Sequence, residues 1–133
     1  MRLGLAVGAV AASVLLAGCG FIGASNVDTH GPDTVGTASA GTGGVQTITV
    51  LGNERMMFNP NVIKARVGKL AITLKVTGDT PHNLEIPSLH AGTGMVRKGS
   101  PGTIEVTLAK PGHYDFVCTY HQKHGMTGVI QVS

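Results

Sequence analysis

Cys118, His121 and Met126 fall within one stretch, Tyr114-Asp-Phe-Val-Cys-Thr-Tyr-His-Gln-Lys-His-Gly-Met126. A thiolate, an imidazole and a thioether therefore share a short loop at the end of an apolar run. Upstream, Pro81-His82-Asn83 adds a second imidazole beside another apolar run. Two histidines, one cysteinate and a weak axial methionine form the donor set that suits a redox-active mononuclear copper. Soft sulfur favours Cu(I), whereas Cu(II) accepts imidazole. The residue types thus point to copper before any fold is considered.

Rival chemistries fit less well. A binuclear copper centre needs a second cysteine near Cys118, and none is there. A copper cluster wired through the cysteine needs histidines on both sides, but the flanks are Val117 and Thr119. Structural zinc rarely takes methionine, a soft neutral ligand. A Cys/His nucleophilic pair leaves Met126 and His82 without a purpose. Asp115, Glu85 and Glu105 read as outward strand positions, with no pair poised for acid–base work. His124 reads as an exposed loop residue, and His90 and His113 as surface residues. Met56, Met57 and Met95 read as adaptable packing near the site.

The elements that must hold these donors are strands. From Val45 onward the sequence has a period of two, broken by Gly, Pro and Asn. Leu70, Ile72, Leu74 and Val76 alternate with Ala71, Thr73, Lys75 and Thr77, so one face turns inward. Ile104, Val106 and Leu108 repeat the pattern, and Tyr114 and Phe116 share a face with Cys118. Further strands are expected at 45–51, 62–67, 82–86 and 128–132. Residues 87–103 read as a loop or a short helical turn. Short strands separated by Gly/Pro turns indicate an all-β sandwich. Residues 45–133 suffice for one small core.

The first third differs in kind. Arg2 is followed by an apolar run closing in Leu16-Ala-Gly-Cys19, and no charge intervenes between Arg2 and Asp28. A basic start, an apolar stretch and a small-residue cleavage site describe an export signal. The end of the run resembles the bacterial lipoprotein box, which implies cleavage before Cys19 and a lipid on its sulfur. The expected division is therefore a signal peptide at 1–18, a lipid-anchored Gly/Ser/Thr-rich tether at 19–44 and a folded domain at 45–133. His30 falls in the tether. With Cys19 lipidated, Cys118 is a lone thiol outside the cytosol, where a metal would protect it. Ten basic residues against seven acidic give a formal charge of +3, with no Trp and no basic cluster. That excludes a nucleic-acid surface.

The stretch from Gly112 through Met126 to Val132 resembles the last two strands of plastocyanin-like cupredoxins. In that family Cys, His and Met recur at these offsets. Pro81-His82-Asn83-Leu-Glu-Ile is similar to the family's first-histidine loop, and Phe58-Asn-Pro60 with Val62 to Gly68 to its early strands. The resemblance implies a Greek-key β-sandwich with one type 1 copper at one end. It implies His82, Cys118 and His121 as roughly planar ligands and Met126 as the axial one. It also implies a link between the ligand loops from Asn83 to Thr119. Tyr120 stands where the family often has proline, and His124 where a small residue is common. The function implied is one-electron transfer by a monomer outside the cytoplasm, not enzymatic catalysis. Redox proteins would dock near His121, and the lipid on Cys19 would hold the chain to the membrane. The alternative is copper sequestration or delivery through the same ligands.

Overall fold

The computed structural model describes residues 32–133. The expected signal peptide at 1–18, Cys19 and His30 lie outside the described residues. Among the described residues the regular structure is β, apart from three short 3-10 turns. The strands, in chain order, are β1 (Val35–Thr37), β2 (Ser39–Ala40), β3 (Gln46–Gly52), β4 (Phe58–Asn59), β5 (Val62–Ala65) and β6 (Gly68–Val76). They continue with β7 (Glu85–Ile86), β8 (Ala91–Gly92), β9 (Gly102–Leu108), β10 (Gly112–Val117) and β11 (Thr127–Val132). One sheet runs β1-β5-β11-β10-β7-β8 and the other β2-β3-β6-β9, with β4 pairing β3. The expected all-β sandwich is what the chain forms.

Alternation in β6 decides which side faces in. Leu70, Ile72 and Leu74 are wholly buried and Val76 nearly so, while Lys75 is exposed. From the other sheet Ile63, Phe116 and Ile130 meet them, also wholly buried. Each such side chain contributes about 1.5–3 kcal/mol when fully buried, an upper figure because an unfolded chain already hides some area. The Phe58 and Phe116 rings pack tilted, with centroids 5.2 Å apart.

Two pairings carry the site. β3 and β6 are parallel, in register from Gln46↔Leu70 to Gly52↔Val76. Both therefore end at the same edge of the sandwich. β10 and β11 are antiparallel, with Val117 opposite Thr127. Their connection, residues 118–126, projects from that same end.

Two expectations need correction. The tether was expected to reach residue 44, yet β1 pairs in parallel with β5 and β2 pairs with β3. Asn61 Oδ1 accepts from the Thr34 N–H at 2.7 Å, and Asn61 N–H donates to Thr34 Oγ1. The small residues of 34–40 join sheet edges through backbone hydrogen bonds, which need no large apolar side chains. The strand expected at 82–86 is only Glu85–Ile86. His82 instead makes an isolated bridge with Val96, its N–H donating to the Val96 carbonyl at 3.1 Å and its carbonyl accepting at 2.7 Å. Residues 87–103 contain a 3-10 turn at Pro87–Leu89, then β8, and an isolated bridge between Arg97 and Ser100.

Candidate metal centre

Cys118 leaves β10 on the face that carries Phe116, and both are wholly buried. Three backbone hydrogen bonds then wind the loop. Cys118 N–H donates to the Met126 carbonyl at 3.0 Å, and His121 N–H to the Cys118 carbonyl at 3.1 Å. Met126 N–H donates back to the His121 carbonyl at 3.3 Å. A 3-10 turn, Gln122–His124, fills the space between and ends at Gly125, whose φ is 83°. That left-handed conformation is cheap only for glycine, and it turns the chain so that Met126 re-enters the core. The local fold therefore brings a thiol, an imidazole and a thioether together.

His82 arrives from the other sheet and is wholly buried. Its Nε2 lies 3.0 Å from the Asn53 carbonyl oxygen. A carbonyl can only accept, so Nε2 carries the proton and the neutral ring presents the Nδ1 lone pair. Burial pushes the His82 pKa below its ordinary value; the Asn53 hydrogen bond and the Glu54 charge act against this, and His121 acts with it. The site therefore favours the unprotonated ring that a metal requires. A Cβ on Gly52 would lie 3.0 Å from the His82 ring and 3.4 Å from the Met126 methyl. Ring and thioether thus close over the same glycine.

His82 Nδ1, Cys118 Sγ and His121 Nδ1 all lie within 4.8 Å of one another. The separations are 3.1 Å for Nδ1···Nδ1, 3.4 Å for His121 Nδ1···Sγ and 4.0 Å for His82 Nδ1···Sγ. With metal–nitrogen near 2.0 Å and metal–thiolate near 2.3 Å, a trigonal plane asks for edges of about 3.5–3.8 Å. The observed triangle straddles those lengths. Two Nδ1 atoms and one sulfur, with Met126 alongside, fit a single type 1 copper.

Asn83 ties the two stretches together. Its Nδ2 donates to Thr119 Oγ1 at 2.9 Å, and its Oδ1 accepts from Thr119 N–H at 2.9 Å. The link implied by the sequence resemblance is present. Nδ2 also faces Glu85 Oε1 at 3.2 Å. Glu85 is therefore engaged beside the site, although its strand position reads as merely outward. His121 is half-buried, Tyr120 is 65 % exposed and His124 is exposed, its ring 6.4 Å from that of His121. His90 and His113 are exposed and are not among the clustered donors.

Three residues beside the site were not singled out by sequence: Asn53, Glu54 and Thr80. The first acts through its backbone carbonyl, which no side-chain pattern reports. The other two pair across 26 positions. An Asn-Glu pair directly after an apolar strand signals a turn, and that was the only available sign.

Known proteins resemble the chain in sequence and in shape. It is 32 % identical over 105 residues to the chloroplastic plastocyanin major isoform of Arabidopsis thaliana, covering 68 % of this chain and 62 % of that protein. The chain thus spans less than two thirds of that relative's length. Reduced auracyanin from Roseiflexus castenholzii superposes with a TM-score of 0.57 at 22 % identity, over 65 % of this chain and 96 % of auracyanin. The metal-binding domain of the Cu(I)-exporting P-type ATPase of Streptococcus pneumoniae gives a TM-score of 0.61 at 17 % identity, over 77 % and 99 %. At such identities these two likenesses concern the fold alone. The cupredoxin-like domain family matches residues 33–132, and the chain belongs to that family.

Proposed function

We propose that this chain is a one-electron carrier holding one type 1 copper through His82, Cys118, His121 and Met126. The observation that carries this reading is the convergence of two Nδ1 atoms and one thiol sulfur within 4.8 Å. Copper bound there would supply a couple between Cu(I) and Cu(II).

The protein's share is to hold the donors still. His82 is fixed by the Asn53 carbonyl, and Cys118 and Met126 are fixed by hydrogen bonds of their own backbones. Donors that do not move between oxidation states leave little to reorganise when an electron arrives. Buried Phe116, Leu84 and Val96 exclude water from the inner side. His121, half-buried beside exposed Tyr120, is the ligand nearest a partner and the natural path for the electron. Redox proteins would dock on this surface. No catalytic function is required of the chain.

Location follows from the first 19 residues. The basic start, the apolar run and Leu16-Ala-Gly-Cys19 support export and a lipid on Cys19. The carrier then works outside the cytoplasm, tethered to a membrane. Cys19→Ser should move the protein from the membrane fraction to the soluble one. An unchanged distribution would remove the tether from this account.

The half-exposed His121 also suits a copper-delivery protein, which must let an acceptor reach its metal. Voltammetry of the copper-loaded full chain separates the two. A carrier shows a reversible one-electron wave and retains its metal through repeated cycles, and Cys118→Ala abolishes the wave. Loss of copper to a Cu(I) acceptor at each reduction would favour delivery.

A further inference from the structure

The parallel strands β3 and β6 bring two connecting segments side by side, and His82 hangs between them. At the last register pair, Gly52↔Val76, Thr77 N–H and Thr77 Oγ1 both donate to the Gly52 carbonyl, at 3.0 and 3.2 Å. One residue further, the Asn53 carbonyl accepts from His82 Nε2 and also from Met56 N–H at 3.1 Å. Asn53 Oδ1 accepts from Arg55 N–H at 2.9 Å and Met57 N–H at 3.3 Å, which sets the direction of the turn. One residue further still, the Glu54 carboxylate accepts from Thr80 N–H at 2.9 Å and Thr80 Oγ1 at 2.6 Å.

That last contact is built, not incidental. A Cβ on Gly78 would collide with the Glu54 carboxylate, so the seat exists only because residue 78 is glycine. The Thr80 hydroxyl and N–H hold the Glu54 carboxyl below its usual range, so it stays ionised and remains an acceptor. The strands do not need this clasp for alignment, since seven register pairs already fix them. It lies beyond their ends, bracketing the carbonyl that holds the His82 ring.

We propose that Glu54 is a positioning residue for His82: clasped to Thr80, it keeps the Asn53 carbonyl against Nε2–H and thereby aims Nδ1 at the metal. This rests on the copper reading above. Without the clasp the turn after β3 can lift away, water reaches Nε2, and the ring gains a second tautomer whose Nδ1 carries the proton. Outer partners that orient a ligating histidine typically alter metal affinity by about 10–100-fold.

The test uses the full chain labelled with 15N-histidine. In the metal-free wild type, NMR should show one His82 tautomer with an Nε2–H protected from exchange. Glu54→Gln and Thr80→Val should each speed that exchange about tenfold and weaken Cu(II) binding about tenfold. Thr80→Ser, which keeps the hydroxyl, should restore both. If Glu54→Gln alone has an effect and Thr80→Val behaves as wild type, charge and not the clasp is responsible, and the proposal is overturned. Lowered melting temperatures with unchanged exchange and affinity mark a merely structural contact and overturn it equally. A wild type that holds the tautomer yet takes up no copper overturns the metal reading, and this role for Glu54 with it. A wild type that binds copper while Nε2–H exchanges freely overturns the role of Glu54 alone.

Discussion

The loop 118–126 and the segment 80–83 supply donors to one point by opposite means. The loop is local: three donors lie within nine positions, wound by hydrogen bonds among its own residues. The segment is distant: His82 is one donor, held by a carbonyl 29 positions away and by a bridge to Val96. The loop's histidine is half-buried and the segment's is wholly buried. Under the proposed function this difference is a division of labour, in which buried His82 would set geometry and half-buried His121 would meet the partner.

The widest gap between the halves should open on removing each imidazole in turn. His121→Gly leaves a hole at a half-exposed position, so added imidazole should restore the copper–thiolate absorption. His82→Gly leaves a hole under the core, and added imidazole should restore little. The readout is the absorption after Cu(II) loading, with and without imidazole; equal rescue would erase the distinction.

Asn83 is where the halves are joined. Asn83→Ala removes both bonds to Thr119 and leaves a backbone N–H seeking a partner. The expected loss of stability is about 1–3 kcal/mol by denaturant melting. Thr119→Val removes only the hydroxyl acceptor and should lose less. If the order reverses, the link does not run through the Asn83 amide.

Acid should reach stability through the buried half. The folded His82 pKa is lowered by burial, while the unfolded value is about 6.5. Below that value the unfolded chain binds more protons than the folded one, so metal-free stability should fall as pH drops through this window. Above it His82 adds no slope. In His82→Gln melts the slope should flatten, and an unchanged slope would assign it elsewhere.

The smallest effect belongs to Met126. Its thioether is the weak donor, and leucine conserves volume in the buried position. Met126→Leu should keep the colour and shift the reduction potential. Bleaching would mean that methionine holds more than an axial place.

The same division explains what could be read from the sequence. The local half was legible, because Cys118, His121 and Met126 lie close along the chain and their offsets are themselves the signal. The inward face of β6 was legible from Leu70, Ile72, Leu74 and Val76, because burial imposes period two. Of the held half, His82 was legible as a donor and Asn83 as its link to Thr119, but the means by which His82 is held was not. His82 reads as part of a strand, yet it sits in a single bridge whose partner, Val96, lies in a segment without pattern. The Asn53 carbonyl leaves no trace in side-chain identity. β1 and β2 were hidden for a related reason, since Gly, Ser and Thr at sheet edges pair through backbone alone.

The central claim is that a thiolate and two imidazoles hold one copper. Titrating the metal-free full chain with Cu(II), followed by visible absorption and electron paramagnetic resonance, tests it most directly. An intense blue absorption from thiolate-to-copper charge transfer, saturating at one copper per chain and absent in Cys118→Ala, is the predicted result. A pale, weakly bound adduct that Cys118→Ala leaves unchanged would contradict it.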